Sequence, residues 1–234
     1  RFPEHYDNFR RSDLPILIMK PLIVANWKMN PPTLREAKTL FNRVKKTDGI
    51  ICVPFIYLSA LKANGSQDCF WEDSGAYTGE VSPSMLKNMG VKYVLIGHSE
   101  RRKYLGETDE MINKKIKAVL GAGLRVILCI DKISQIKKDL KNIENCKLKI
   151  ENLIMAYEPL FSIGTGKACG LKRAEKMRIA IKKVAGKKTP ILYGGSVNSQ
   201  NARQYIKDGG FDGLLVGGAS LRPKEFIDIF KAAC

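Results

Sequence analysis

The 234-residue chain is poor in metal ligands and in membrane-spanning signals. It has two histidines, His5 and His98, and its six cysteines form no Cys-x-x-Cys pair, so a zinc site lacks ligands at a usable spacing. No apolar run is long enough to cross a bilayer. A disulfide framework is not expected at this length, and we predict a cytoplasmic protein with reduced thiols and no metal.

Acidic residues are also few: the chain has 23 Asp and Glu but 40 Lys and Arg, which gives a net charge of +17. Such an excess can indicate nucleic acid, an anionic membrane surface or an anionic substrate. The lysine runs, such as residues 114–117 and 182–183, are interleaved with apolar residues at helical spacing, which is typical of solvated helix faces. No nucleic-acid-binding signature accompanies them. We therefore expect neither a nucleic-acid nor a membrane partner.

Residues 1–18 contain scattered charges and no continuous apolar segment of signal-peptide type. Met19 stands just before the first strand-like run. Our hypothesis is that the native chain starts at Met19, that residues 1–18 are an upstream or non-native extension, and that residues 19–234 form one domain. An intact mass, from the source organism, that includes residues 1–18 would refute it.

Seven short runs are apolar throughout, as strands buried on both faces of a parallel sheet are. They cover residues 22–27, 50–54, 93–97, 125–130, 153–157, 191–194 and 213–217. Helical spacing marks residues 34–44, 111–120, 174–184 and 226–232 between them. An eighth strand is expected near residues 66–70, where the signal is poor. The alternation predicts an α/β fold, a single-domain (β/α)8 barrel.

An open doubly wound sheet is the structural alternative. That fold usually carries a Gly-x-Gly-x-x-Gly turn after its first strand, whereas here the first strand runs into Asn26-Trp27-Lys28. No linker divides the chain, and no second domain is indicated.

Polar residues follow the predicted strands, where the chemistry of a parallel barrel collects. Glu158 lies between a strand and Pro159, and partial desolvation there would raise its pKa, as a base for carbon acids requires; the alternative is a salt-bridged glutamate. His98 is either a capping or core histidine or a neutral hydrogen-bond donor at a helix start. Lys28 either pairs with Glu100 alone or also faces an anionic ligand.

Glycines follow the sixth, seventh and eighth strands of the predicted barrel. They stand in Gly164-Thr165-Gly166-Lys167, Gly194-Gly195-Ser196 and Gly217-Gly218. Backbone N–H groups in such loops and at the helix starts after them bind phosphate. The alternative is that these glycines only permit tight turns. We favour a ligand with one phosphate group.

Six segments resemble, in order, the signature segments of the triosephosphate isomerase family. They are residues 26–30 (NWKMN), 97–102 (GHSERR), 156–159 (AYEP), 163–167 (IGTGK), 193–197 (YGGSV) and 215–221 (LVGGASL). The resemblance covers nearly everything from Leu22 onward. It implies the TIM barrel fold, with a shortened region between the second and third strands and a short helix after the fifth strand.

The resemblance also implies the interconversion of dihydroxyacetone phosphate and D-glyceraldehyde 3-phosphate, in glycolysis and gluconeogenesis, without a cofactor. Glu158 would be the base and a neutral His98 would polarise the carbonyl group. Lys28 would stabilise negative charge, Asn26 would help to orient it, and Glu100 would hold Lys28. The residues implied to bind the substrate phosphate are Gly164, Ser196, Gly217 and Gly218.

Residues 159–169 would form a mobile lid that excludes water, with Tyr193 as the latch of its closed form. Residues 75–80 (GAYTGE) resemble the loop that interdigitates in the family's homodimer, and Thr78 would reach the neighbouring subunit's site. The implied partners are therefore a phosphorylated triose substrate and a second copy of the chain.

The chain departs from the family pattern in its lid and in two short deletions. Phe161-Ser162 replaces a first hinge that usually has Trp, and the second hinge reads Lys167-Ala168-Cys169. Asp68 stands where Asn is common. Asp131-Lys132 replaces the usual Gly-Glu after the fifth strand, and the stretch between residues 53 and 67 is several residues short.

Two other functions stay open on the sequence. A barrel enzyme acting on another sugar or indole phosphate would share the glycines but need not carry Asn26, Lys28, His98 and Glu158 together. An inactive barrel recruited to RNA or a membrane through its +17 charge would need no intact catalytic set. Tight retention on heparin that a phosphate analogue does not change, without turnover, would favour the binding protein.

Overall fold

The computed structural model describes residues 20–143, 148 and 150–234. Met19 and the predicted extension of residues 1–18 lie outside the described residues. The hypothesis about the native start therefore stays a prediction.

Eight parallel strands close into a barrel in chain order, with the last strand pairing with the first. The strands are β1 (Leu22–Asn26), β2 (Ile50–Val53), β3 (Gly65–Ser66), β4 (Tyr93–Ile96), β5 (Arg125–Ile130), β6 (Leu153–Tyr157), β7 (Ile191–Tyr193) and β8 (Gly213–Val216). The predicted (β/α)8 barrel is confirmed, and the doubly wound alternative is wrong because the sheet has no open edge.

Strand β3 is only two residues long, and it begins one residue before the predicted stretch. Gly65 lies so close to β2 that a Cβ atom there would be 2.6 Å from the Cys52 sulfur. After Ser66 the chain turns away from the sheet, and the Ser66 hydroxyl donates to the Asp68 carbonyl at 2.8 Å. A Gly-Ser strand has no branched apolar side chains, which explains its poor signal.

Nine α-helices occur in the described part of the chain. They are α1 (Leu34–Val44), α2 (Phe55–Leu61), α3 (Pro83–Asn88), α4 (Ser99–Tyr104), α5 (Asp109–Gly121), α6 (Ile133–Asp139), α7 (Leu171–Ala185), α8 (Ala202–Lys207) and α9 (Pro223–Ala233). The four helical patterns of the sequence correspond to α1, α5, α7 and α9. The predicted short helix after the fifth strand is confirmed, since α6 has seven residues.

The apolar side chains of the strands pack in two layers. Ten buried residues fill the inside of the barrel: Val24, Ile50, Cys52, Leu95, Ile127, Cys129, Ile154, Ala156, Leu192 and Leu215. The alternate residues face outwards and pack against the helices, as Ile23 and Val126 do. Because both faces of each strand are buried, the strands read as continuous apolar runs.

Among the residues that the structure describes, no helix is long and apolar enough to cross a membrane. The same residues contain no group of three or more His, Cys, Asp or Glu placed to hold a metal ion.

Candidate active site

A cleft of about 290 Å³ lies at the carboxyl ends of the strands. The predicted residues that line it are Asn26, Lys28, His98, Glu158, Gly164, Ser196, Gly217 and Gly218. Asn198 and Arg222 also line it, and the sequence analysis missed both. Arg222 immediately precedes α9 and lies shortly after the Gly217-Gly218 turn. Its closeness in sequence to that glycine motif was the signal that could have identified it.

Glu158 and His98 both line the cleft and contact each other directly. One carboxylate oxygen of Glu158 is 3.1 Å from His98 Nε2, and the other accepts a hydrogen bond from the Ser99 backbone N–H at 3.3 Å. Both side chains are buried. The contact arises because β6 and β4 end at the same rim: Glu158 follows β6, and His98 precedes α4 as its N-cap.

This contact sets the ionisation of both groups, in the opposite direction to the one expected from the sequence. Burial raises the pKa of Glu158, but the His98 ring, the Ser99 N–H and the Lys28 ammonium outweigh burial and lower that pKa below its ordinary value. Burial lowers the pKa of His98, but the carboxylates of Glu158 and Glu100 raise it above its ordinary value. The expectation of a raised Glu158 pKa therefore does not hold for the ligand-free pair. The neutral His98 of the reaction stays a prediction.

Lys28 is fixed by both its backbone and its side chain. Its backbone lies in the left-handed region, with φ of 54°. Its N–H donates to Asn26 Oδ1 at 3.0 Å, and its carbonyl accepts from the Gln67 side chain at 2.9 Å. Its ammonium donates to Glu100 at 2.5 Å. The predicted pairing of Lys28 with Glu100 is therefore present, and the ammonium also lines the cleft.

The glycines after β7 leave little room for side chains, whereas those after β8 have more space. A Cβ atom at Gly194 would be 3.1 Å from Glu158 Cγ, and one at Gly195 would be 2.2 Å from the Tyr193 hydroxyl. A Cβ atom at Gly217 would be 3.4 Å from Lys28 Cε. Side chains are therefore excluded at Gly194 and Gly195. The turns after β7 and β8 both line the cleft that holds Lys28, and backbone N–H groups in such turns can bind an anion.

The segment predicted to be the lid is anchored at two buried residues, Ser162 and Cys169, and residues 164–168 between them are exposed. The Cys169 N–H donates to the Tyr193 hydroxyl at 2.9 Å, and the Cys169 carbonyl accepts from the Tyr205 hydroxyl. The two tyrosine rings stack with their centroids 3.7 Å apart. Tyr193 thus contacts the second hinge without lining the cleft, and its role as a latch stays a prediction.

A second cavity of about 590 Å³ lies beside Glu158, between α4, α6 and the start of the lid. It shares Glu158 and Ile163 with the smaller cleft but has none of the glycines after β7 and β8. Asp131, one of the departures from the family pattern, accepts a hydrogen bond from the Leu160 N–H at 3.3 Å. The smaller cleft is the better candidate for catalysis because it combines the ionisable groups with the glycine loops.

Thr78 does not line this cleft in the described part of the chain. It stands in the exposed stretch of residues 72–80. At the base of that stretch, Phe70 stacks on Trp71 and packs against Tyr77, with ring centroids 4.1 Å and 4.7 Å apart. The predicted contact of Thr78 with a second subunit stays a prediction.

Asp68 belongs to a buried ionic cluster outside the cleft. Its carboxylate accepts from Lys115 and from Arg101, each at 2.8 Å. Glu107 contacts the same two cations. Burial raises the pKa of Asp68 to about 6, and the cations offset this only in part. The Asn-to-Asp departure therefore adds a charge to this cluster, where Lys115 and Arg101 are its partners.

We expect the Asp68→Asn variant to gain stability relative to the wild type as the pH rises from about 4 to about 6. The folded protein holds the Asp68 proton more tightly than the unfolded chain, with a pKa of about 6 against 3.8. Ionising Asp68 over this range therefore costs stability, on the order of 3 kcal/mol above pH 6. Melting temperatures of both proteins between pH 4 and pH 8 test this. A difference that is flat with pH would contradict it, and the exposed Asp73→Asn variant is the control.

Comparison with known proteins identifies the relatives of the chain. The family model described as triosephosphate isomerase matches residues 21–233. The triosephosphate isomerase of Lactobacillus delbrueckii subsp. lactis is 41% identical, over 88% of this chain and 96% of its own length. That of Thermoanaerobacter sp. (strain X514) is 40% identical, over 90% and 98% respectively. That of Alkaliphilus oremlandii is 36% identical, over 91% and 99%.

Proposed function

Since the chain belongs to the triosephosphate isomerase family and interconverts dihydroxyacetone phosphate and D-glyceraldehyde 3-phosphate, we propose that Glu158 is the base of this reaction. The observation that carries the proposal is the position of its buried carboxylate in the cleft, in contact with His98 and the Ser99 N–H. In this reaction the base takes a proton from the carbon next to the carbonyl group and returns it to the neighbouring carbon. A carboxylate held at a fixed position suits both transfers.

His98 polarises the substrate carbonyl and shuttles protons between the two oxygens of the enediol. A substrate that lies between Glu158 and His98 separates the pair. Separation from the carboxylate now at 3.1 Å removes the largest contribution that raises the pKa of His98, so burial has more weight and the neutral ring is favoured. The Glu100 N–H donates to His98 Nδ1 at 3.2 Å, so Nε2 is the nitrogen that carries the proton of the neutral ring. Nε2 is also the atom that faces Glu158.

Lys28 supplies positive charge for the enediolate and for the phosphate. Glu100 holds its ammonium at one wall of the cleft, and Asn26 and Gln67 hold its backbone. A cation fixed before the reaction stabilises developing negative charge without reorganisation. Asn26, which is buried beside it, orients the same oxygen.

The phosphate of the substrate binds to backbone N–H groups of Gly164, Ser196, Gly217 and Gly218, and Arg222 adds positive charge at this end of the cleft. The lid of residues 159–169 closes over the bound substrate, excludes water and retains the enediol intermediate. Tyr193 holds the second hinge through the Cys169 N–H. These steps need no cofactor.

We also propose that the enzyme is a cytoplasmic homodimer that serves glycolysis and gluconeogenesis. Four of its cysteines (Cys52, Cys69, Cys129 and Cys169) are buried free thiols, and burial raises their pKa values. The exposed stretch around Thr78 offers a surface for a second copy. Sedimentation of the purified chain tests the dimer: a monomer at micromolar concentration that is fully active would contradict it.

The decisive experiment on the reaction is a coupled assay that follows dihydroxyacetone phosphate formed from D-glyceraldehyde 3-phosphate. We expect fast turnover without added metal or cofactor, because all the proposed groups are supplied by the chain. A folded protein without turnover that is retained on heparin whether or not inorganic phosphate is present would instead support the binding-protein alternative.

A further inference from the structure

The Ser196 backbone N–H, one of the proposed phosphate donors, already has an acceptor inside the protein. It donates to the Ser162 hydroxyl oxygen at 3.2 Å. The Ser196 hydroxyl in turn donates to the Ser162 carbonyl at 2.6 Å. Ser162 is buried, and its own hydroxyl donates to the Lys167 carbonyl at 2.7 Å. The first hinge of the lid therefore occupies a donor that the phosphate needs.

We propose that Ser162 is a positioning residue that competes with the substrate phosphate for the Ser196 N–H and so stabilises the ligand-free arrangement of the lid. This inference rests on the proposed phosphate site. A backbone N–H has one hydrogen to donate. A phosphate oxygen can accept that hydrogen in good geometry only after the Ser162 hydroxyl has moved away. Phosphate binding and movement of the first hinge are thereby coupled.

The hydroxyl group, rather than the backbone of residue 162, provides this competition. An alanine at 162 would keep the carbonyl that accepts from Ser196 but would lose the acceptor of the Ser196 N–H. It would also lose the bond that joins the first hinge to Lys167 across the turn of the lid. The Thr165 hydroxyl lies 3.4 Å from the same Lys167 carbonyl and is a second donor for it. The alanine variant therefore retains a folded hinge that is no longer tied to Ser196 by its side chain.

Binding of glycerol 3-phosphate tests the inference, because this ligand carries the phosphate and three carbons but has no carbonyl group to enolise. We expect Ser162→Ala to lower its Kd about fivefold, the factor that about 1 kcal/mol produces. KM for D-glyceraldehyde 3-phosphate should fall by a similar factor. An unchanged or higher Kd would overturn the inference. Ser66→Ala is the matched control, since it removes another buried hydroxyl, bonded to the Asp68 carbonyl and outside the cleft.

Hydrogen exchange of the Ser196 amide provides a readout that a merely structural role would not change in the same way. In the ligand-free wild type this amide should be protected, in Ser162→Ala it should exchange faster, and saturating glycerol 3-phosphate should restore protection in the variant. Equal protection in both ligand-free proteins would contradict the competition. Neither the Kd of glycerol 3-phosphate nor the hydrogen exchange depends on turnover, so loss of activity in the wild type would count against the proposed reaction alone.

Discussion

Glu158→Gln should lower kcat by about 10²-fold to 10⁴-fold, the range that a positioned general base supplies. The amide keeps the size of the side chain and an oxygen that can accept from the Ser99 N–H, as the carboxylate does at 3.3 Å. It cannot take a proton from carbon. The coupled assay with D-glyceraldehyde 3-phosphate measures the loss.

Two measurements separate loss of the base from loss of the site. Glycerol 3-phosphate should bind the Glu158→Gln variant with a Kd close to that of the wild type, because the phosphate contacts come from other loops. Glu158→Asp should have a kcat between those of the wild type and Glu158→Gln. It keeps a carboxylate but withdraws it by about 1 Å, a displacement that can lower the rate about 100-fold. Wild-type turnover by Glu158→Gln would disprove the assignment of the base.

Lys28→Met should lower kcat/KM by about 10³-fold, because it removes the fixed cation while keeping a long side chain. The backbone at position 28 should keep its conformation, since Asn26 and Gln67 hold it through main-chain atoms. Both kcat and KM should change, as the ammonium faces the enediolate oxygen and the anionic substrate alike. Steady-state kinetics give the two constants separately.

Lys87→Met is the matched control for this loss. Lys87 is an exposed lysine whose ammonium donates to the Ala122 carbonyl at 2.8 Å, and it does not line the cleft. It changes the net charge by the same amount, so it accounts for any general effect of the +17 charge on an anionic substrate. A similar loss of kcat/KM in both variants would mean that Lys28 acts only through that general charge.

Much of the barrel could be predicted because its strands are buried on both faces. Runs such as Leu153–Tyr157 have no polar face, and that continuity is visible in the sequence. Strand β3 could not be predicted from apolar patterning. Gly65 lies so close to Cys52 that there is no space for a side chain, and Ser66 is polar, so the strand contains no apolar run. Helix α2 could not be predicted because a single residue, Pro54, separates it from β2, and no side chain caps its start.

The members of the cleft could be predicted from their positions after strands, but their ionisation could not. Glu158 and His98 are 60 positions apart in the sequence, and their contact depends on where two strands end on the ring. Taken alone, the position of Glu158 predicts that desolvation raises its pKa. The 3.1 Å contact with His98 reverses the direction of that shift. The bond between Ser162 and Ser196 was hidden for the same reason.

The two-residue strand β3 has a consequence for refolding from denaturant. It joins its neighbours through two register pairs on each side. Together with β2, it lies between β1, which leads to Lys28, and β4, which leads to His98 and Glu100. The bond between Lys28 and Glu100 therefore spans this narrow junction. A refolding chain can form most of its helices and strand pairs while these groups are still apart. Recovery of enzymatic activity then reports closure of the ring, and it should lag behind the recovery of helical circular dichroism.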